Sequence, residues 1–165
     1  MNKILITLFF VAMVGSSLMA WHRKPKQASP ANTQEKQIRK AALEKAIVLR
    51  NKRCIPCEGG LPSLNQGQED EFLKAVPQWT MMRDGTHRIK RQFQFKDFGE
   101  AIIFVNEIAS VVDDQNHHPD ISIFYNKVVL EFHTHAIGGL SENDFIVACL
   151  IDEMIQTRYP QLLAR

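Results

Sequence analysis

Cysteine is scarce in this chain of 165 residues, and the few that occur exclude several chemistries. Cys54-Ile55-Pro56-Cys57 is a lone CxxC. No second CxxC and no nearby histidine pair completes a four-ligand zinc site. Gly59-Gly60-Leu61-Pro62 follows it, which is loop chemistry rather than the helix a thioredoxin-type motif needs. A local disulfide or two idle thiols is the expectation, and Cys149 reads as a small buried hydrophobe. Positive charge is short where the chain folds. Residues 58–165 carry nine Lys and Arg against sixteen Asp and Glu, a balance of −7. Such a surface lacks the basic stripe of a nucleic-acid binder. Long apolar runs are few as well, and a signal anchor is the weaker reading of the one near the N-terminus. The apolar stretch Ile4 to Ala20 is 17 residues, short of the roughly 20 a span requires.

That stretch has another use. Lys3 precedes it and Gly15, Ser16 and Ser17 follow its apolar heart, the order of a secretory signal. Residues 1–20 are read as a targeting segment, with cleavage after Ser17 or Ala20 and no stable membrane span afterwards. Residues 21–57 hold ten Lys and Arg against only Glu35 and Glu44, a balance of +8. Residues 21–60 therefore have two readings. One is a transit-like second half of an address into an organelle such as a plastid or mitochondrion, with secretion as the alternative. The other is a disordered linker and a short solvated helix, marked by Ile38, Ala41, Ala42, Lys45, Ala46 and Leu49.

Residues 61–160 carry the signals of a folded domain. Asp70 to Val76 reads as a short helix closed by Pro77. Trp79 to Met82 and His87 to Phe95 read as a hairpin about Asp84-Gly85. Asp97 and Glu100 form a capping-box pattern for a helix to Asp113, with Phe98, Ala101, Ile102, Val105, Ile108, Ala109 and Val112 as its core stripe. Ile103, Phe104 and Val111 exceed what one sheet needs and suggest a subunit interface, hence a homodimer or homotetramer. Two further strands alternate through Ile121, Ile123 and Tyr125 and through Val128, Leu130 and Phe132, with the turn at Asn126-Lys127. Gly138-Gly139 ends them, and Ser141 with Asp144 caps a last helix. The order is α-β-β-α-β-β-α. The expected fold is α+β, a four-stranded antiparallel sheet with helices packed on one face.

Chemistry concentrates in the final third. Asn116-His117-His118-Pro119 precedes one hairpin, and His133-Thr134-His135 follows it. Strand alternation puts His133 and His135 on one face, and the hairpin returns both groups to one sheet end. A metal would need three imidazoles, or two with a carboxylate such as Asp113, Asp114 or Asp144. Adjacent histidines chelate poorly, and no His-x-x-x-His or His-Glu-x-x-His occurs. Acid/base chemistry fits better, since an imidazole donates or accepts near neutral pH and needs neither metal nor cofactor.

Asn116-His117-His118-Pro119-Asp120, Tyr125-Asn126-Lys127-Val128, Thr134-His135 and Gly139-Leu140-Ser141-x-x-Asp144 occur in order. With Trp79 and Ile89-x-Arg91-x-Phe93-x-Phe95-x-Asp97-Phe98, they make residues 69–157 resemble the pterin-4a-carbinolamine dehydratases. The resemblance implies dehydration of 4a-hydroxytetrahydrobiopterin to the quinonoid dihydropterin, the step that recycles the cofactor of aromatic amino-acid hydroxylases. It implies His117 and His135 as the acid/base pair. One protonates the departing 4a-hydroxyl, and the other takes the ring-nitrogen proton. It places Asn116, His118, Pro119, Thr134, Trp79 and His133 around the pterin, and it leaves Asp144 and Asp113 to orient histidines. For Asp144, a helix-cap role is an equal reading. His133 departs from the pattern, since relatives often carry Ser or Thr there. Two alternatives stand beside this reading. Some animal relatives also serve as dimerisation cofactors of a homeodomain transcription factor, with the helix from Asp97 to Asp113 as the docking surface. The other is a metal-dependent hydrolase.

Overall fold

The structure is a computed structural model that describes residues 30–57 and 60–162. The expected signal segment lies outside them. Among the described residues no helix is long and apolar enough to cross a membrane. The elements are α1 (Pro30–Arg50), α2 (Gln66–Leu73), β1 (Thr80–Met82), β2 (Arg88–Gln94), α3 (Phe98–Gln115), β3 (Asp120–Phe124), β4 (Lys127–Phe132) and α4 (Glu142–Arg158). The strands form one antiparallel sheet in the order β1-β2-β4-β3. This is the α+β architecture read from the sequence, with one long helix added in front.

Local chemistry sets the element ends. α2 begins four residues earlier than its apolar pattern suggests, because Asn65 and Gln68 form a capping box. The Gln68 N–H donates to Asn65 Oδ1 at 3.0 Å, and the Asn65 N–H donates to Gln68 Oε1 at 2.9 Å. Asp97 caps α3 by accepting from the Glu100 N–H at 3.0 Å. The Glu100 carboxylate reaches one residue past the expected box, to the Lys96 N–H. α3 ends where Asn116 turns left-handed, at φ 50°. Asparagine tolerates that conformation better than most residues. The β3–β4 turn falls on Tyr125 and Asn126, one residue before the expected Asn126-Lys127, with Tyr125 at φ 55°. The Asn126 amide pins this turn to the end of β2 by donating to Phe95 O at 2.9 Å.

The core lies between the sheet and α2, α3 and α4. Ile89, Phe93, Val128, Leu130 and Phe132 from the strands meet Phe104, Ile108, Phe145 and Ile151, all essentially inaccessible. Each such side chain contributes roughly 1.5–3 kcal/mol. The α3 stripe is Ala101, Phe104, Ile108 and Val112. Phe104, expected as surplus, is its centre, with ring centroids 4.8 Å from both Phe93 and Phe95. Phe98, expected inside, is half exposed and stacks on Tyr125.

α1, with 21 residues, is longer than the short solvated helix that one reading of this stretch expected. Its first half is solvated, but its second half docks on α4. Leu49 is 1% exposed, and Lys45 Nζ sits 4.5 Å above the Phe72 ring. Salt bridges from Arg50 to Glu153, Lys52 to Glu142 and Arg53 to Asp114 then carry the chain across the domain toward the histidines.

Candidate active site

Three short segments converge at one end of the sheet: the α3 C-terminus, the end of β4, and the α4 N-terminus. The left-handed Asn116 ends α3 and turns the chain into His117 and His118. Asn116 thus shapes the site through its backbone, and its side chain is exposed. The adjacent histidines part company at once. His117 is 5% exposed and points inward, while His118 is 54% exposed and lies on the surface.

A single carboxylate organises the buried side. Asp144 is fully buried. Its Oδ1 lies 2.7 Å from His117 Nε2. Its Oδ2 accepts from the Thr134 hydroxyl at 2.9 Å and from the Ser141 N–H at 2.7 Å. The sequence left Asp144 as either a helix cap or a histidine anchor. Its two oxygens divide both tasks. A carboxylate accepts, so Nε2 of a neutral His117 carries the ring proton and Nδ1 is the acceptor. Nδ1 faces Cys57 Sγ at 3.6 Å. The Phe132 ring stacks on the imidazole at 6.0 Å between centroids.

The cysteine segment is thus part of the site. Asn143 clamps it by donating to Ile55 O at 2.8 Å and accepting from the Ile55 N–H at 3.1 Å. Cys54 and Cys57 are both free thiols. Burial, reinforced by the nearby Asp144, Cys57 and Glu142, pushes the Cys54 thiol up to about 12. It stays protonated and unreactive at neutral pH.

The exposed side is looser. His118 Nε2 pairs with Asp113 Oδ1 at 2.9 Å, as the orienting role of Asp113 requires. β4 stops at Phe132 and His135 opens a 3-10 turn, His135–Ile137. His133 and His135 still lie side by side, with ring centroids 3.9 Å apart. Asp120 stands 3.7 Å from each. Pro119 leads from His118 into β3. Among the described residues no hydrogen bond joins His117 to His118 or to His135.

Two expected pocket residues have other work. Thr134 is 1% exposed, and its hydroxyl is shared between Asp144 and Ser141. Trp79 is 3% exposed and donates its indole N–H to Asp152 at 2.9 Å. Its ring contacts Phe132, which also stacks on His117. Sequence reasoning missed Asn143, Asp120 and the placement of Cys57. Hollows of 570, 450 and 480 Å³ open on other faces, between α3 and α4, along β2, and between α1 and α4. The titratable cluster, not depth, marks this site.

The model of the pterin 4 alpha carbinolamine dehydratase family matches residues 62–154. The chain belongs to that family. It is accordingly a hydro-lyase. A relative from Nitrosomonas eutropha, provisionally named a pterin-4-alpha-carbinolamine dehydratase, is 43% identical over 107 residues. That alignment covers 65% of this chain and 93% of the relative. One from Methylococcus capsulatus with the same provisional name is 40% identical, covering 66% and 95%. The crystal structure of a transcriptional coactivator/pterin dehydratase from Brucella melitensis is similar at 29% identity and a TM-score of 0.52. It covers 56% of this chain and 98% of that one. The dehydratase family match begins after the cysteine segment, so Cys57 reaches His117 from outside it.

Proposed function

We propose that this dehydratase-family chain converts 4a-hydroxytetrahydrobiopterin to quinonoid dihydropterin and water, in pterin cofactor recycling. Histidines carry the proton transfers, and no redox cofactor is required. The observation that carries the reading is the convergence of His117, His118 and His135 at one sheet end, with carboxylates fixing the first two. Loss of the 4a-hydroxyl needs a proton delivered to oxygen and another removed from a ring nitrogen. General acid/base groups contribute typically 10² to 10⁴-fold to such steps.

The resemblance pairs His117 with His135. The geometry favours a second assignment for one of them. His117 has a partner on both ring nitrogens and reaches a pterin only if the Cys57 thiol gives way. His118 is exposed, and its Asp113 bond leaves Nδ1 open. In this assignment His118 and His135 face the substrate and His117 positions the loop between them. The full chain is assayed by the decay of 4a-carbinolamine absorbance. The double change His117→Ala, His135→Ala abolishes it, and activity that survives sinks the proposal. A kcat loss in His118→Ala with unchanged KM selects the second assignment. A change confined to KM selects the first.

Assembly and destination belong to the same reading. Every residue of edge strand β3 is exposed, including Ile121, Ile123 and Phe124. An open apolar edge suits pairing with a second copy. Light scattering that returned a monomer at micromolar concentration would refute this. A reporter fused to residues 1–57 is expected in a membrane-bounded compartment, and diffuse cytosolic signal would refute the targeting reading.

A further inference from the structure

Asp120, His133 and His135 form a cluster whose polar atoms are close but not bonded. One nitrogen or oxygen from each lies within 4.8 Å of the other two. Asp120 Oδ2 is 3.7 Å from His133 Nδ1, and Asp120 Oδ1 is 3.7 Å from His135 Nε2. Both distances are too long for a hydrogen bond. They are close to the separation of about 3.4 Å between neighbouring ligand atoms around a tetrahedral zinc ion with bonds near 2.1 Å. A second observation concerns burial. His133 Nδ1 is buried and has no hydrogen-bond partner among the described residues. A buried ring nitrogen without a partner is costly and calls for an explanation. An electrophile between the three side chains supplies one.

We propose that Asp120, His133 and His135 hold one divalent transition-metal ion of the zinc type. Two imidazoles and one carboxylate are borderline ligands. They favour zinc-like ions over calcium and magnesium, which prefer all-oxygen shells. Asp120 and His135 are both mostly exposed, so an ion can enter and a fourth position stays open to water. Such an ion occupies His135 Nε2. Under the dehydration reading above, it therefore acts as an inhibitor, withdrawing the nitrogen that exchanges protons with the pterin. His133, which departs from the family pattern, becomes the ligand that makes the site. The register puts the carboxylate there. Asp120 pairs with Glu131, two residues before His133 on β4.

The test is a titration of the reduced full-length chain with zinc chloride at neutral pH, in competition with a chromophoric chelator. One equivalent binds, and His133→Ala and Asp120→Asn each weaken it at least about tenfold. Asp120 lies on the surface, so its variant keeps the fold even if the His133 change does not. Cobalt(II) in place of zinc gives tetrahedral d–d bands without a sulfur-to-metal charge-transfer band. Cys54→Ser with Cys57→Ser leaves the affinity unchanged. No stoichiometric binding, parent-like affinity in the Asp120 and His133 variants, or loss of binding with the cysteines overturns the proposal. No pterin enters this titration, so its failure is separate from any failure of the dehydration reading.

Discussion

His117 and His133 are both sheltered imidazoles at one end of the same sheet, and the fold treats them in opposite ways. His117 has a partner on each nitrogen, a carboxylate it shares with Thr134 and Ser141, and an aromatic ring on its face. His133 has a buried nitrogen that no hydrogen bond reaches among the described residues, its nearest carboxylate standing 3.7 Å away. Under the second assignment above, the saturated ring serves by where it holds the chain. An unsaturated ring is a receptor, and its value lies in what it can still accept. Residue type alone does not distinguish the two.

The comparison is broken most directly at the carboxylates. Asp144→Ala leaves His117, Thr134 and the Ser141 N–H without this acceptor in a buried site. It is expected to cost about 3–5 kcal/mol in urea denaturation and to take the activity with it. Asp120→Ala, at the exposed cluster, is expected to stay within about 0.5 kcal/mol of the parent in the same experiment. Equal effects would erase the distinction. His135→Ala sharpens it from the exposed side. The dehydration rate falls about 10² to 10⁴-fold while stability moves by less than about 0.5 kcal/mol. Thr134→Val removes a hydroxyl that serves Asp144, and a loss of about 1–2 kcal/mol is expected by thermal melting.

The smallest effect belongs to Cys54. Its thiol is raised from 9.0 to about 12 by burial. A raised value means that the fold favours the protonated form. Its contribution is therefore complete below pH 9 and is lost as the pH climbs toward 12. A stability profile over that range should fall more steeply for the parent than for Cys54→Ser. Iodoacetamide at pH 8 should reach Cys54 only after unfolding.

Most of the architecture was legible because period and caps agree. Ile89, Phe93 and Phe95, then Val128, Leu130 and Phe132, alternate as strands must, and Asp97 and Ser141 mark helix starts by their chemistry. The α3 stripe was less legible. That helix is apolar on too many sides for period alone to choose a face. The cap at Asp97 puts Phe98 at the rim, and only the neighbouring Phe93 and Phe95 rings select Phe104 as the centre. The same ambiguity hid α4, where Phe145, Ile146, Val147, Ala148 and Cys149 are all buried and α1 packs as well as the core.

At the site, the histidines and Asp144 were legible as a cluster. Their division of labour was not. Adjacent His117 and His118 differ through the left-handed turn at Asn116, which no periodicity reports. Asp120 joins His133 and His135 only through the β3–β4 register. The clasp between Asn143 and Ile55 joins segments that carry no shared pattern.

That clasp has a consequence for how the chain acquires its shape. The bonds that fix Asp144 to Ser141 and Thr134 span 3 and 10 residues, whereas those from Asn143 to Ile55 span 88. Closing a long loop costs more entropy, and contacts distant in sequence form slowly. The carboxylate nest is expected to assemble early, with the cysteine segment laid over it as a late step. Pulsed hydrogen exchange should then protect the Ser141 amide before the Ile55 amide, and the reverse order would show that the clasp leads folding.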